Sequence, residues 1–196
     1  MNTPFQDLFF ADADPDELAQ RDPQALVAMA QAHWVLMQAC KAGEVRVEVL
    51  RAPQAQGEGT TLVQIVHPDM AFLVDSVSIA VNQSGRTVHW IVHPLIRVSR
   101  DEAGTITQVD SAAGTAPSAG KASVVSCILV ECTRLASDPD GEALCRAIES
   151  TLLDVRSAVQ DWRAMLSRVQ LLSAGFTALD GADAAEAKAF LTWLEQ

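Results

Sequence analysis

The sequence predicts an α+β domain: an antiparallel sheet with helices on one face, plus N-terminal and C-terminal helical extensions. Two stretches carry that prediction. Between Thr61 and Arg100 the hydrophobic period changes from 2 to 3.6 and back to 2, which reads as strand, capped helix, Gly turn and long strand. Beyond it, the most apolar strand of the chain, Ser123 to Thr133, leads into a sustained helical stripe. At 196 residues and 49% apolar, the chain has the material for one compact domain with attached segments.

The N-terminal extension opens with two Asp-Pro pairs, Asp14-Pro15 and Asp22-Pro23. In each, an N-cap acceptor precedes a residue pre-set for the first helical position. The first starts a short turn through Leu18. The second starts a helix to about Lys41, with Val27, Ala30, Trp34 and Met37 as its apolar stripe, Leu26 and His33 beside it, and Gly43 as its stop. Val45 to Leu50 alternates apolar and charged residues, as a half-exposed strand does. After a polar loop, Leu62 to Val66 is apolar but for Gln64, so it should be a buried central strand.

Asp69 is placed to cap a helix from Met70 to about Gln83, with Leu73, Val77, Ala80 and Val81 facing inward and Phe72 and Ile79 off that row. Asp75 falls on its solvent side. Thr87 to Val98 resumes strand periodicity. Pro94 removes a ladder donor, so this strand lies at an edge or bends at His93-Pro94. Asp101 to Gly104 is a hairpin turn that returns Thr105 to Val109 beside Leu95 to Ser99. Asp110 to Lys121 is small and polar.

Asp138-Pro139 should cap the last long helix, whose stripe runs Leu144, Ile148, Leu152, Val155, Val159, Trp162, Leu166, Val169 in steps of 4,4,3,4,3,4,3. At ~1.5 Å per residue, about thirty residues make ~45 Å of helix, more than a small sheet covers. A shorter helix occupies Ala184 to Glu195. The order β-α-β-β-α is one strand short of the split βαβ ferredoxin-like unit, and Val45–Leu50 can fill the empty slot as a hairpin with Leu62–Val66. The expected sheet order is therefore Val45–Leu50, Leu62–Val66, Ser123–Thr133, Thr87–Val98.

Composition removes several function classes. A net charge of −11 and a pI near 4.6 leave no clustered Lys and Arg to hold phosphates, so nucleic acid is not an expected partner. Cys40, Cys127, Cys132 and Cys145 have no C-x-x-C spacing, as reduced core residues of a cytoplasmic protein would not. No run reaches the roughly 18 to 20 apolar residues that cross a bilayer, and no basic signal-peptide start is present, so no membrane is expected. There is also no Gly-rich dinucleotide turn after a strand, and thus no expected cofactor in this chain. A phosphate-cradling hydrolase loop would want an Arg between His67 and Ala71, where there is none. His89 and His93 point to one face of a strand but stand about 13 Å apart, too far to share a metal.

The segment H-P-D-M-A-F-L-V-D-S-V followed by G-R-T-V-H-W-I-V-H-P-L-I-R-V-S-R-D resembles the N-terminal region of the very large bacterial NAD-dependent glutamate dehydrogenases. Three further stretches agree: A-D-P-D-E-L-A-Q-R-D-P-Q-A-L with A-H-W, L-L-D-V-R-S-A-V-Q-D-W-R-A-M, and E-A-K-A-F-L-T-W-L-E. The resemblance implies an ACT-type domain over residues 44–170, an N-terminal helical extension over 1–43, and a linker and helix over 171–196 leading to the next domain of a longer protein. It implies a non-catalytic regulatory or assembly role in an enzyme of amino acid catabolism. That parent enzyme uses NAD for the oxidative deamination of L-glutamate to 2-oxoglutarate and ammonia.

For sites, the resemblance points to the first strand-to-helix loop as the place for a small amino acid effector: His67, Asp69, Met70, Ala71 and Phe72. No catalytic and no metal-binding residue is expected. The partners it implies are the other domains of the parent enzyme and a second copy of the domain. The alternatives are a purely structural oligomerisation module and a stand-alone amino-acid sensor. Exposed apolar area at Phe72, Ile79, Trp162, Leu166 and Val169 would favour an interface. A closing helix with Phe190 and Trp193 as plugs would hide it instead.

Overall fold

The computed structural model describes residues 3–50, 59–112, 122–175 and 182–194. Helices α1 (Thr3–Phe9), α2 (Pro15–Ala19) and α3 (Pro23–Ala39) come first, then strands β1 (Arg46–Val49) and β2 (Thr60–Pro68) and helix α4 (Leu73–Gln83). Strands β3 (Val88–Val92), β4 (Leu95–Arg100), β5 (Ile106–Ser111) and β6 (Ala122–Thr133) follow, and α5 (Asp138–Gly175) and α6 (Ala182–Leu194) end the series. Both Asp-Pro pairs work as caps. Asp14 accepts from the Asp16 N–H at 2.8 Å and Asp22 from the Gln24 N–H at 3.0 Å.

The sheet is antiparallel in the order β1-β2-β6-β4-β5, with β3 also paired to β6. This is the expected order with the β5 hairpin strand added at the edge. The expected strand Thr87–Val98 is two strands on one track: Val92 pairs Leu129 and Leu95 pairs Ser126, with His93-Pro94 as the interruption. Pro94 keeps its carbonyl in the ladder, accepting from the Cys127 N–H at 3.1 Å, and only its missing donor breaks the strand.

Each face of the sheet carries its own core. On one, Val63, Ile65, Ile128 and Val130 pack with Leu73, Val77 and Val81 of α4 and with Leu144, Ile148 and Leu152 of α5. On the other, Leu62, Val66, Cys127 and Leu129 pack with Phe5 and Phe9 of α1 and with Met29, Ala30, Leu36 and Met37 of α3. The helices of the N-terminal extension thus cover the second sheet face. The residues divide into two compact units, Met1–Leu153 and Asp154–Gln196.

Three local expectations change. The buried row of α3 is Met29, Ala30, His33, Leu36 and Met37, while Val27 and Trp34 are half-buried. Trp34 turns aside because Phe5 of α1 lies against it, ring centres 4.9 Å apart. At α5 the capping hydroxyl is Ser137 Oγ, accepting from the Asp140 N–H at 3.4 Å, and Asp138 is already helical. Asp69 does not cap α4, whose first residue is Leu73 and whose N-cap position, Phe72, makes no side-chain cap bond. The reason is that β2 still pairs at Pro68 with Val125 and the Asp69 N–H donates to Val124 O at 3.1 Å, so the chain needs Met70 to Phe72 to turn.

Within Asp154–Gln196, α5 continues without a break to Gly175. Trp162, Met165, Leu171 and Leu172 are exposed, and so are Phe190 and Trp193 of α6, whose rings stack only on each other at 6.0 Å. Phe190 and Trp193, the alternative plugs, are 57% and 66% exposed. Residues 110–121 and 171–196 lie only partly within the described residues.

Candidate functional site

The β2–α4 loop grows out of the buried end of a central strand, and that origin decides the state of each side chain. His67 is the last inward residue of β2, opposite Ser126, and is 2% exposed. Its Nδ1 lies 2.6 Å from Pro68 O, a contact the Nδ1–H tautomer makes as donor. Asp69 is tied to β6 twice: by its N–H to Val124 O and by its carboxylate, which accepts from the buried Ser126 hydroxyl at 2.9 Å. Met70 is half-buried against the α4–α5 core. Ala71 and Phe72 are exposed, and Asp75 on the first turn of α4 is exposed as expected.

Phe72 has φ 69°, ψ 11°, the left-handed region. A non-Gly residue there costs of order 1 kcal/mol, and no core contact offsets it because the ring is 66% exposed. Seven residues further, on α4, Ile79 is 53% exposed. The first strand–helix loop thus keeps its polar groups for the fold and shows solvent an aromatic ring.

Structure adds neighbours that the sequence reading did not join to the loop. His93, at the strand break, is half-buried, and its Nε2 is buried without a hydrogen-bond partner. Burial holds its imidazole below the usual range, with Asp69 and then Asp12 pulling the other way. His67 and His93 belong to strands on either side of β6. Among the described residues no group of three or more His, Cys, Asp or Glu could hold a metal. The cavity that touches Pro68 is about 30 Å³, enough for one water, and Cys40, Arg100 and Val124 are among the residues that line it.

The other buried charge is structural. Glu131, a lone carboxylate in the apolar run of β6, is 9% exposed and takes a 2.7 Å ion pair from Arg21 Nη2. The Arg21 guanidinium also lies 3.6 Å over the Trp90 ring. A single Glu inside C-I-L-V-E-C-T was a signal that a cation must reach it, though not that the cation comes from the α2–α3 turn. The four cysteines are free, and burial raises Cys40 and Cys132 to about 11 and pushes Cys127 and Cys145 up, leaving inert thiols.

Comparison with known proteins follows the same lines. The profile of a family described as "Glutamate dehydrogenase, ACT1 domain" matches residues 5–148. The NAD-specific glutamate dehydrogenase of Halomonas elongata is 32% identical over 98% of this chain and 12% of its own length. That of Pseudomonas aeruginosa is 28% identical over 98% of this chain and 12% of its own length. The chain therefore spans about an eighth of these relatives.

Proposed function

Because this chain belongs to the glutamate dehydrogenase ACT1 domain family, we propose that it is the non-catalytic N-terminal regulatory and assembly domain of a large NAD-dependent glutamate dehydrogenase. The parent enzyme would carry out the oxidative deamination of L-glutamate to 2-oxoglutarate and ammonia with NAD, in the cytoplasm. Within that role the domain docks on other parts of the enzyme, and residues 171–196 connect to the next domain. The observation that carries the assembly reading is apolar exposure at the β2–α4 loop and on α4. Phe72 and Ile79 are exposed there, while His67 and Asp69 are occupied by Pro68, Val124 and Ser126. Effector capture would want polar groups at that loop left open to a ligand.

A thermal-shift series with the twenty amino acids and NAD separates docking from sensing. A ligand at a hundred times its Kd adds about 2.7 kcal/mol, a rise of several degrees for a chain of this size. The assembly reading expects no rise with any of them. A reproducible rise with one amino acid, lost in Asp69→Ala, would replace it with a sensing role. In the full-length enzyme, Phe72→Ser with Ile79→Ser is expected to weaken domain docking, read as faster proteolysis of the N-terminal region.

A further inference from the structure

We propose that the second unit carries a self-association seam: α5 from Val155 to Val169 packs against α5 of a second copy of this chain as a parallel coiled coil. The proposal rests on the assembly reading and gives it a second, separate surface. The first observation is spacing. From Leu152 the apolar residues Val155, Val159, Trp162, Leu166 and Val169 follow at 3,4,3,4,3, the alternation of a seven-residue repeat. That repeat lays the apolar row along one side of the helix, the seam around which a second helix of comparable length winds left-handed. α5 runs unbroken to Gly175, whereas α6 has 13 residues.

Exposure is the second observation. With Leu152 and Val159 at a and Val155 and Trp162 at d, the g positions are Ala158, Met165 and Leu172. Trp162, Met165 and Leu172 are 55%, 58% and 57% exposed, and Val155, Val159, Leu166 and Val169 are half-buried. A stripe of this size on a surface helix marks an interface.

Charge names the occupant. Between Leu152 and Gly175 every charged residue, Asp154, Arg156, Asp161, Arg163 and Arg168, falls at c or e, and none at a, d or g. Three Arg against two Asp make this stretch +1 in a chain of −11, so two copies meet here without the repulsion they would have elsewhere. In a parallel pair the g residues Ala158 and Met165 face positions 163 and 170 of the other copy, which brings no like charges together.

Light scattering across a concentration series tests this on the whole chain, whose monomer is 21.0 kDa. The wild type is expected at a multiple of that mass, and Val159→Glu with Leu166→Glu at the monomer mass with an unchanged melting transition of the sheet. Val169→Cys is expected to cross-link copy to copy under a mild added oxidant, and Arg168→Cys to stay at the wild-type background. A wild type that is monomeric at every concentration would overturn the seam, as would an oligomer that survives the double Glu variant. An oligomer lost instead in Phe72→Ser with Ile79→Ser would also overturn it, while leaving the assembly reading in place.

Discussion

Arg21→Ala should cost more than any other change at the protein's surface turns, because it strands a carboxylate inside the sheet. The Glu131 side chain is 11% exposed and Arg21 23%, with 2.7 Å between Nη2 and Oε2. Breaking a fully buried pair costs about 3–5 kcal/mol. Partial exposure of Arg21 lets water reach the vacated space, so about 2–3 kcal/mol is expected. Loss of the guanidinium over Trp90 adds about 0.5–1 kcal/mol. The sum is near 3 kcal/mol. Pairing Arg21→Ala with Glu131→Leu should recover most of it, since the second change removes the orphaned charge from an apolar strand. Urea denaturation of the wild type, both single variants and the double variant gives the coupling energy directly. A coupling below about 0.5 kcal/mol would refute the reasoning, because an ion pair this buried cannot be energetically silent if Glu131 depends on it.

Other expected outcomes are smaller or local. His33 is buried with a pKa lowered to about 3, chiefly by burial and only partly offset by the Ile65 backbone. The unfolded chain therefore takes the proton first, and stability, complete above about pH 6.5, should fall progressively toward pH 3, by up to about 4–5 kcal/mol. His33→Leu should flatten the slope of unfolding free energy between pH 6.5 and 4; an unchanged slope would assign it elsewhere. Phe72→Gly relieves the left-handed backbone and removes no core contact, so the melting temperature should rise, by the equivalent of about 0.5–1 kcal/mol. Ile148→Ala, at 0% exposure on the sheet side of α5, should cost about 2–5 kcal/mol, whereas Val159→Ala in the second unit should cost the monomer well under 1 kcal/mol.

What could be read directly from the residues was local or periodic. The alternation of Val45 to Leu50, the apolar run of β6, the Asp-Pro caps and the inward row of α4 each specify an element through contacts within a few residues. Pairing order then followed from loop lengths and strand count, so even the break at Pro94 was visible, because a missing N–H is a property of the residue. The β2–α4 loop was legible as a loop but not as a state. Asp69 looks like a helix cap until the ladder of β2 is seen to run on through Pro68, and the hydroxyl that takes its carboxylate, Ser126, lies 57 residues away.

Long-range placement decided the rest. Nothing local says that α1 and α3 cover the second sheet face, that Arg21 reaches Glu131 across 110 residues, or that Phe72 must turn left-handed to let α4 begin. Patterns of 2 and 3.6 residues record which side of an element is apolar. They do not record what lies against that side, and that is settled only when the whole chain has closed around its two cores.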